Sequence, residues 1–560
     1  MDKILRINMK TKDVLYEDVS EQYSKLGGRG LIAKILLNEV KPTCDPLGRY
    51  NKLIFATGFL TGSLVSSASR ISIGAKSPLT GGIKESNAGG ITAMRLAQNG
   101  VKAVIVEEIP EENNWYYIKI SKNSCTLESA DEYKGMGTFE FCNEMLKKYP
   151  NCAVTCIGSS GERLYGAAAI ATMDKENNPN RYSGRGGLGA VMGSKYLKGI
   201  VVTDKGSVEI SDKEEFSAAL KQYSSVVKDA PSSLTYKSLG TASTSRVTNE
   251  MNGLPVNNFS GEKFQHLESI SGEALYELIE SRGGEGKTAH ACMPGCIIQC
   301  SNVVPDENGK TIVSPLEYET IGLMGSNLGI GNLETIAKLN AICNDIGIDT
   351  IETGAAIGVA MEAGIIEFGD GEGALRLMEE IKEGTVLGRV LGNGVEITGK
   401  VFGVRHIPVV NGQAMPAYDP RAIKGMGVTY ATSPMGADHT YGAVIKTRKP
   451  YAQASRESQI LLALYDTLGI CMFARGAVGK NYELLVNLIN AKNGWNIDSQ
   501  WLMKIAEDTI RDEHKFNQLA GFTNKNYRMN ESFEETEIAD IQAVFDVSDE
   551  DLDKVLNSFK

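Results

Sequence analysis

Apolar and polar positions follow two different periods along the chain. Over roughly the first two hundred residues the runs are short and β-branched: "NKLIFATGFL", "RISIGAKSPL", "KAVIVEE", "WYYIKI", "AAIATM" and "GIVVTD", each bounded by turn residues. The opening "MDKILRINMKTKDV" alternates apolar and polar like a first strand. After "VVTDKG" the period lengthens. "SDKEEFSAALKQYSSVVKDA" starts on a Ser/Asp cap and continues with helical spacing. "GEALYELIES", "LETIAKLNAICNDIG", "DTIETGAAIGVAMEAG", "GALRLMEEI", "SRESQILLALYDTLG" and "NYELLVNLINAK" extend that pattern. The spacing predicts an α+β protein: a β-rich N-terminal domain over residues 1–205, then a largely helical remainder.

Composition narrows the function classes. A chain of 560 residues is long for one core, so two to four domains are expected. The 60 glycines exceed the usual share of about 7% and point to close backbone approaches. A net charge of −11 with no basic cluster excludes a nucleic-acid surface. No apolar run reaches the roughly 18 residues that span a membrane, and the N-terminus lacks an apolar signal core. The expectation is a soluble, cytoplasmic protein without a membrane partner.

Ten cysteines are too sparse for a disulfide scaffold. Cys44, Cys125, Cys142, Cys152 and Cys156 read as buried reduced thiols, and the strand-like "NCAVTCIG" puts Cys152 and Cys156 on one face. "HACMPGCIIQC" differs, because it gathers Cys292, Cys296 and Cys300 around a Pro-Gly turn, with "CIIQC" expected as one helical turn. A fourth ligand comes from a repeated shape. "NDIGID" and "DTLGIC" each end an apolar helix on glycine, a stop that turns the following residues toward a site. In the second, the residue past the cap is Cys471. Three thiols in one loop and a distant fourth suit a cubane iron–sulfur cluster; a zinc tetrathiolate would use the same ligands.

These blocks, with "GGRGL", "SRISIGAKSPLTGGIKESNAGG", "GRGGLGAVMGSKYLK", "EYETIGLMGSN" and "SPMGADH", occur in the order that resembles the tungsten-containing aldehyde:ferredoxin oxidoreductase family over essentially the whole chain. The resemblance implies a tungsten or molybdenum ion held by two pterins, with a [4Fe-4S] cluster beside one of them. It also admits a Mg2+ ion bridging the pterin phosphates. It implies a β saddle (1–205) under the pterins and two helical domains above: 206–405 with the cysteine loop, and 406–560 with the fourth cysteine.

Arg70, Asn87, Ala88 and Gly89 match the first pterin segment of that family, and Arg181, Ser183, Gly184 and Arg185 the second. Glycine loops and arginines are what phosphates require. Asn344, Asp349, Asp466 and Ile470 match the helix-end segments at the pterin rings, and Cys292, Cys296, Cys300 and Cys471 the cluster ligands. Glu319 or Glu317 matches the carboxylate that activates water, and His439 the imidazole that donates to a carbonyl oxygen. The spacing of three residues between Cys292 and Cys296 departs from the usual two. Asn344 stands where Asp is common, and no Glu-x-x-His pair is present for a bridging iron. His266 and His514 are expected in exposed segments, His406 in a strand, and His290 bonded to a sulfur or a carbonyl; Gly27 and Gly28 read as a turn between strands. The expected activity is oxidation of a small-molecule aldehyde, of any size or polarity, to a carboxylic acid, with ferredoxin or a small iron–sulfur subunit accepting electrons. Reduction of a thioester or aromatic ring on the same scaffold, or a catalytically inactive metal- or cluster-binding protein, are the alternatives; homo- or hetero-oligomers are both compatible.

Overall fold

The computed structural model describes residues 2–446 and 450–560. Two six-stranded mixed sheets occupy the first two hundred residues. In the first, the spatial order is Val14–Asp18, Lys3–Asn8, Val101–Glu107, Leu53–Thr57, Ile71–Lys76 and Ile83–Ala88. In the second it is Arg181–Ser183, Ile170–Thr172, Ala153–Cys156, Leu197–Val202, Tyr116–Ile120 and Cys125–Ser129. The β-branched runs form these strands because both faces of their central members are buried, as in Leu53–Thr57 and Leu197–Val202.

Each sheet ends on a strand that matters for the site. Ile83–Ala88 is the edge of the first sheet, Arg181–Ser183 the edge of the second, and the two edges pack against each other. An edge strand keeps backbone N–H and C=O groups free of ladder partners, so these edges offer polar backbone to whatever lies between them.

The chain beyond residue 205 is mainly helical, and its core runs continuously from Phe216 to Phe559. Helices Leu333–Ile346 and Tyr451–Leu468 stop as their glycines predict. Gly347 and Gly469 take left-handed φ values of 71° and 77°. The amides of Ile348 and Ile470 reach back to Cys343 O and Tyr465 O, at 3.0 and 2.9 Å, closing each helix end.

Four local expectations fail. "GGRGL" is no turn between strands: Gly27 precedes the helix Gly28–Glu39, whose first residue lies against the Asp466 carbonyl, so closely that a Cβ on Gly28 would sit 2.1 Å from it. "CIIQC" forms no helical turn; Gln299 has φ 51°, and the segment is held open by Ser66 Oγ, which accepts from the Ile297 amide at 2.9 Å. His406 lies in a loop, bonded to Ser532 Oγ at 2.8 Å, not in a strand. His514 is not exposed but stacks on Phe559 at 5.8 Å, and burial drives its pKa down to about 3.

Candidate active site and cluster loop

The two edge strands, the cysteine loop and the two glycine-stopped helices line a cavity of about 290 Å³. Its walls include Asn87, Ala88 and Gly89 from one edge, Arg70 from the start of the strand beside it, and Arg181, Gly184 and Arg185 from the other edge. Glu317, Glu319, Asn344, Asp349, His439, Asp466, Cys292, Cys300 and Cys471 also line it. Three expected residues do not face it. Ser183 is buried at the second edge, Ile470 is buried in the helix-end turn, and Cys296 sits behind Cys292.

Arg70 spans the first edge and the fourth cysteine. Its guanidinium bonds the Asn87 side chain and carbonyl and lies 3.9 Å from Cys471 Sγ. Asn87 Nδ2 donates to Asp466 Oδ1 at 3.1 Å, and Asp466 Oδ2 accepts from the fully buried Arg29 at 3.2 Å. Burial nevertheless lifts the Asp466 carboxyl to about 6. On the second edge, Arg185 bonds Asp349 Oδ2 at 3.2 Å and the carbonyls of Ala414 and Ala437 at 2.6 and 3.0 Å. Asp349 is also a helix cap, accepting from the amides of Ile351 and Glu352, so its oxygens are largely engaged. Arg181 donates to Ser301 Oγ at 2.6 Å and contacts His290 Nδ1 at 3.0 Å. His290 is therefore paired with Arg181, and through its other nitrogen with Glu176 at 3.1 Å, not with a sulfur or a carbonyl.

Cys471 joins the three loop cysteines from 171 positions beyond Cys300. The Cys292, Cys296, Cys300 and Cys471 thiols are near enough to shift one another electrostatically. The adjoining Cys292 thiol, with help from Ser67, pulls Cys296 down to about 6. Ser67 Oγ is 3.3 Å from Cys296 Sγ, and its carbonyl accepts the Cys471 amide at 2.8 Å, so one loop ties both cysteine segments. Glycine is needed at 89: a Cβ there would lie 2.8 Å from Cys292 Sγ. Among the described residues, no three His, Cys, Asp or Glu side chains converge tightly enough to hold a single metal ion.

Glu319 and His439 stand at a junction. Both, with Glu317, Met472 and Phe473, line the large cavity and also a smaller pocket walled by Tyr236, Tyr318, Tyr418, Met426, Ile445, Thr241, Thr244 and Arg475. His439 Nε2 is 3.6 Å from Glu319 Oε1, and Glu319 Oε2 accepts the Ala417 amide at 2.8 Å. Burial pushes Glu319 above the usual carboxylate range, with His439 and that amide opposing. Burial also raises Glu317, against Arg181 and Arg70. "EYETIGLM" does begin a helix, Tyr318–Met324, but a buried one.

The donor set fits a large anionic, ring-bearing group. Asn344 Nδ2, Arg181 Nε and His439 Nδ1, on residues that wall the cavity, are buried side-chain nitrogens without a hydrogen-bond partner, and groups of that kind ordinarily find one.

Comparison with known proteins decides the family. The description "Aldehyde ferredoxin oxidoreductase, N-terminal domain" matches residues 4–204, and "Aldehyde ferredoxin oxidoreductase, domains 2 & 3" matches residues 218–559. The chain belongs to the aldehyde ferredoxin oxidoreductase family. It is an oxidoreductase. It is similar to the tungsten-containing aldehyde ferredoxin oxidoreductase of Pyrococcus furiosus, at 32% identity over 93% of this chain and 89% of that one. The Thermococcus kodakarensis protein of the same name is 31% identical over the same shares. An aliphatic sulfonate oxidoreductase, WOR-like subunit, of Pyrococcus furiosus is 28% identical over 90% and 84%. The fold is that of the active-site complex BamBC of benzoyl coenzyme A reductase, with a TM-score of 0.80 at 18% identity, covering all of this chain and 93% of that one. No helix among the described residues is long and apolar enough to cross a membrane.

Sequence reasoning missed several residues of this site. Asn180, Ser67 and Arg475 lie outside the quoted blocks, and Lys84 and Asp438 lie inside "SRISIGAKSPLTGGIKESNAGG" and "SPMGADH" without a spacing that marks them as a pair. Lys84 Nζ reaches Asp438 Oδ2 across 354 residues, a pairing no spacing rule encodes.

Proposed function

We propose that this enzyme oxidises an aldehyde to a carboxylic acid at a tungsten or molybdenum bis-pterin, passing electrons through a [4Fe-4S] cluster to ferredoxin or a small iron–sulfur subunit. The reaction balances as RCHO + H2O → RCOO⁻ + 3 H⁺ + 2 e⁻. The observation that carries this reading is the Glu319–His439 pair, which lines both the cavity and the aromatic pocket beside it.

When bound, the metal–pterin group supplies a low-potential two-electron sink. Asn87, Ala88, Gly89, Arg181, Gly184 and Arg185 would hold it from the edge strands and the turns that follow them, with Arg70 beside them and Asn344, Asp349 and Asp466 at the helix ends; Ser183, expected among them, is turned away from the cavity. Cys292, Cys296, Cys300 and Cys471 would ligate the cluster. With the chain divided near residues 205 and 405, as proposed here, all three parts wall the cavity.

The chain's own groups handle protons and orientation. His439 donates toward the substrate oxygen, and Glu319 takes a proton from water. A carboxyl raised by burial is better matched to proton exchange near neutral pH than an exposed one. The rings of Tyr318 and Tyr418, with centroids 5.2 Å apart, give the pocket an aromatic wall.

The test is metal analysis of anaerobically purified protein together with viologen-coupled turnover of a substrate panel. About four irons and one tungsten or molybdenum per chain, with aldehyde oxidation, support the reading. Stoichiometric zinc without iron overturns the cluster. Turnover of a thioester or aromatic ring, with no aldehyde oxidised, replaces the reaction while keeping the scaffold.

A further inference from the structure

Among the described residues that line the pocket beside Glu319 and His439, Arg475 is the one arginine or lysine, and it does not line the cofactor cavity. Glu317, Glu319, His439, Met472 and Phe473 face both volumes, whereas Arg475 faces only the pocket. Its position follows from the fourth cysteine. Past Cys471 the chain makes the short turn Met472–Ala474 and begins the helix Arg475–Val478. Arg475 Nη1 donates to Met472 O at 3.0 Å, which folds the guanidinium back toward the pocket. Its remaining donors have no carboxylate partner among the described residues.

The walls between the two ends are aromatic. Tyr236 and Phe473 pack with ring centroids 4.7 Å apart, and Tyr418 lies 6.3 Å from His439. Thr241 and Thr244 add hydroxyl groups, though Thr241 Oγ1 already accepts the Tyr318 amide. A half-buried guanidinium with free N–H groups, in a protein of net charge −11, is a local attractor for anions.

We propose that Arg475 makes this enzyme selective for aldehydes that carry an anionic group, a carboxylate or a sulfonate, at the end opposite the carbonyl. The carbonyl end meets Glu319 and His439, the short apolar middle lies against the rings, and the anion pairs with the guanidinium. For a carboxylate the reaction is ⁻OOC–R–CHO + H2O → ⁻OOC–R–COO⁻ + 3 H⁺ + 2 e⁻, the electrons going to the same iron–sulfur or dye acceptor. This deepens the aldehyde-oxidising reading and rests on it.

The experiment compares kcat/KM of the holoenzyme for succinic semialdehyde, a sulfonate aldehyde of similar length, and butyraldehyde, in the wild type, Arg475→Gln and Arg475→Lys. The expected wild-type preference for one anion over butyraldehyde is roughly 10- to 100-fold, the range of a hydrogen bond to a charged group. In Arg475→Gln that ratio collapses toward one, with the loss in KM, and Arg475→Lys restores part of it. The relative rates of the two anions decide which one is read. No wild-type preference, or a ratio unchanged in Arg475→Gln, overturns the proposal. Calorimetric titration with succinate gives a second readout without turnover. If no aldehyde is oxidised, the functional reading fails, yet succinate binding weakened by Arg475→Gln keeps the anion subsite; absence of succinate binding to the wild type removes it.

Discussion

Lys84 Nζ lies 2.6 Å from Asp438 Oδ2, with both side chains buried. This contact joins the edge strand of the first sheet to the loop that carries His439. Asp438 in turn fixes Thr440 through its amide and hydroxyl, at 2.8 and 2.7 Å, so the carboxylate holds the His439 loop from both sides. Despite burial, Lys84 and Arg185 keep Asp438 well below the usual carboxylate range. Lys84→Met should leave an unpaired buried carboxylate and cost about 3–5 kcal/mol, read by chemical denaturation. The double variant Lys84→Met/Asp438→Leu should recover most of that stability but not turnover, since the histidine loop stays untied. Equal recovery of both would reduce the pair to a packing element.

His439→Ala and Glu319→Gln should keep iron, tungsten and pterin. Turnover should fall by roughly 10²–10⁴-fold, the usual loss when an acid/base group is removed. Metal analysis beside dye-coupled assays separates the outcomes. Loss of metal from the His439 variant would make it a holding residue. Arg70→Ala should do the opposite, emptying the cofactor site, because its guanidinium bridges Asn87 and the Cys471 sulfur.

Cys471→Ser should strip or destabilise the cluster, whereas Cys125→Ser should not, since Cys125 lies on a strand at the far edge of the second sheet. Ser67→Ala should retain iron but move the cluster's midpoint potential to more negative values. A hydroxyl hydrogen bond to Cys296 stabilises the reduced, more negative cluster, and the variant lacks it. Redox titration followed by electron paramagnetic resonance measures the shift; a potential equal to wild type would sink the assignment to Ser67.

Glu85 is buried beside Asp466, and burial together with that neighbouring charge raises its carboxyl from 4.5 to about 8. The folded protein then binds more protons than the unfolded chain between those values, so stability falls as pH rises across the window. Glu85→Gln should flatten the decline in melting temperature between about pH 5 and about pH 8. A decline as steep as in the wild type would mean that Glu85 ionises normally.

The parts of this protein legible in the sequence are those encoded by neighbours along the chain. Strand runs, glycine helix stops and the thiol carried past the second stop are local, and the structure keeps the two caps at Gly347 and Gly469 as read. Order and spacing of whole blocks also sufficed to recognise the family. What tertiary structure alone decided is distant pairing. "CIIQC" has helical spacing, yet Ser66 and Ser67, more than two hundred residues earlier, bond Ile297 and Cys296 and hold it open. His514 looked exposed among charges until Phe559 covered it. The meeting of two edge strands, the Lys84–Asp438 pair and the facing of Arg475 into a pocket each join segments that no periodicity relates. Local backbone preference is written residue by residue, whereas burial and charge pairing belong to surfaces that exist only once the chain has folded.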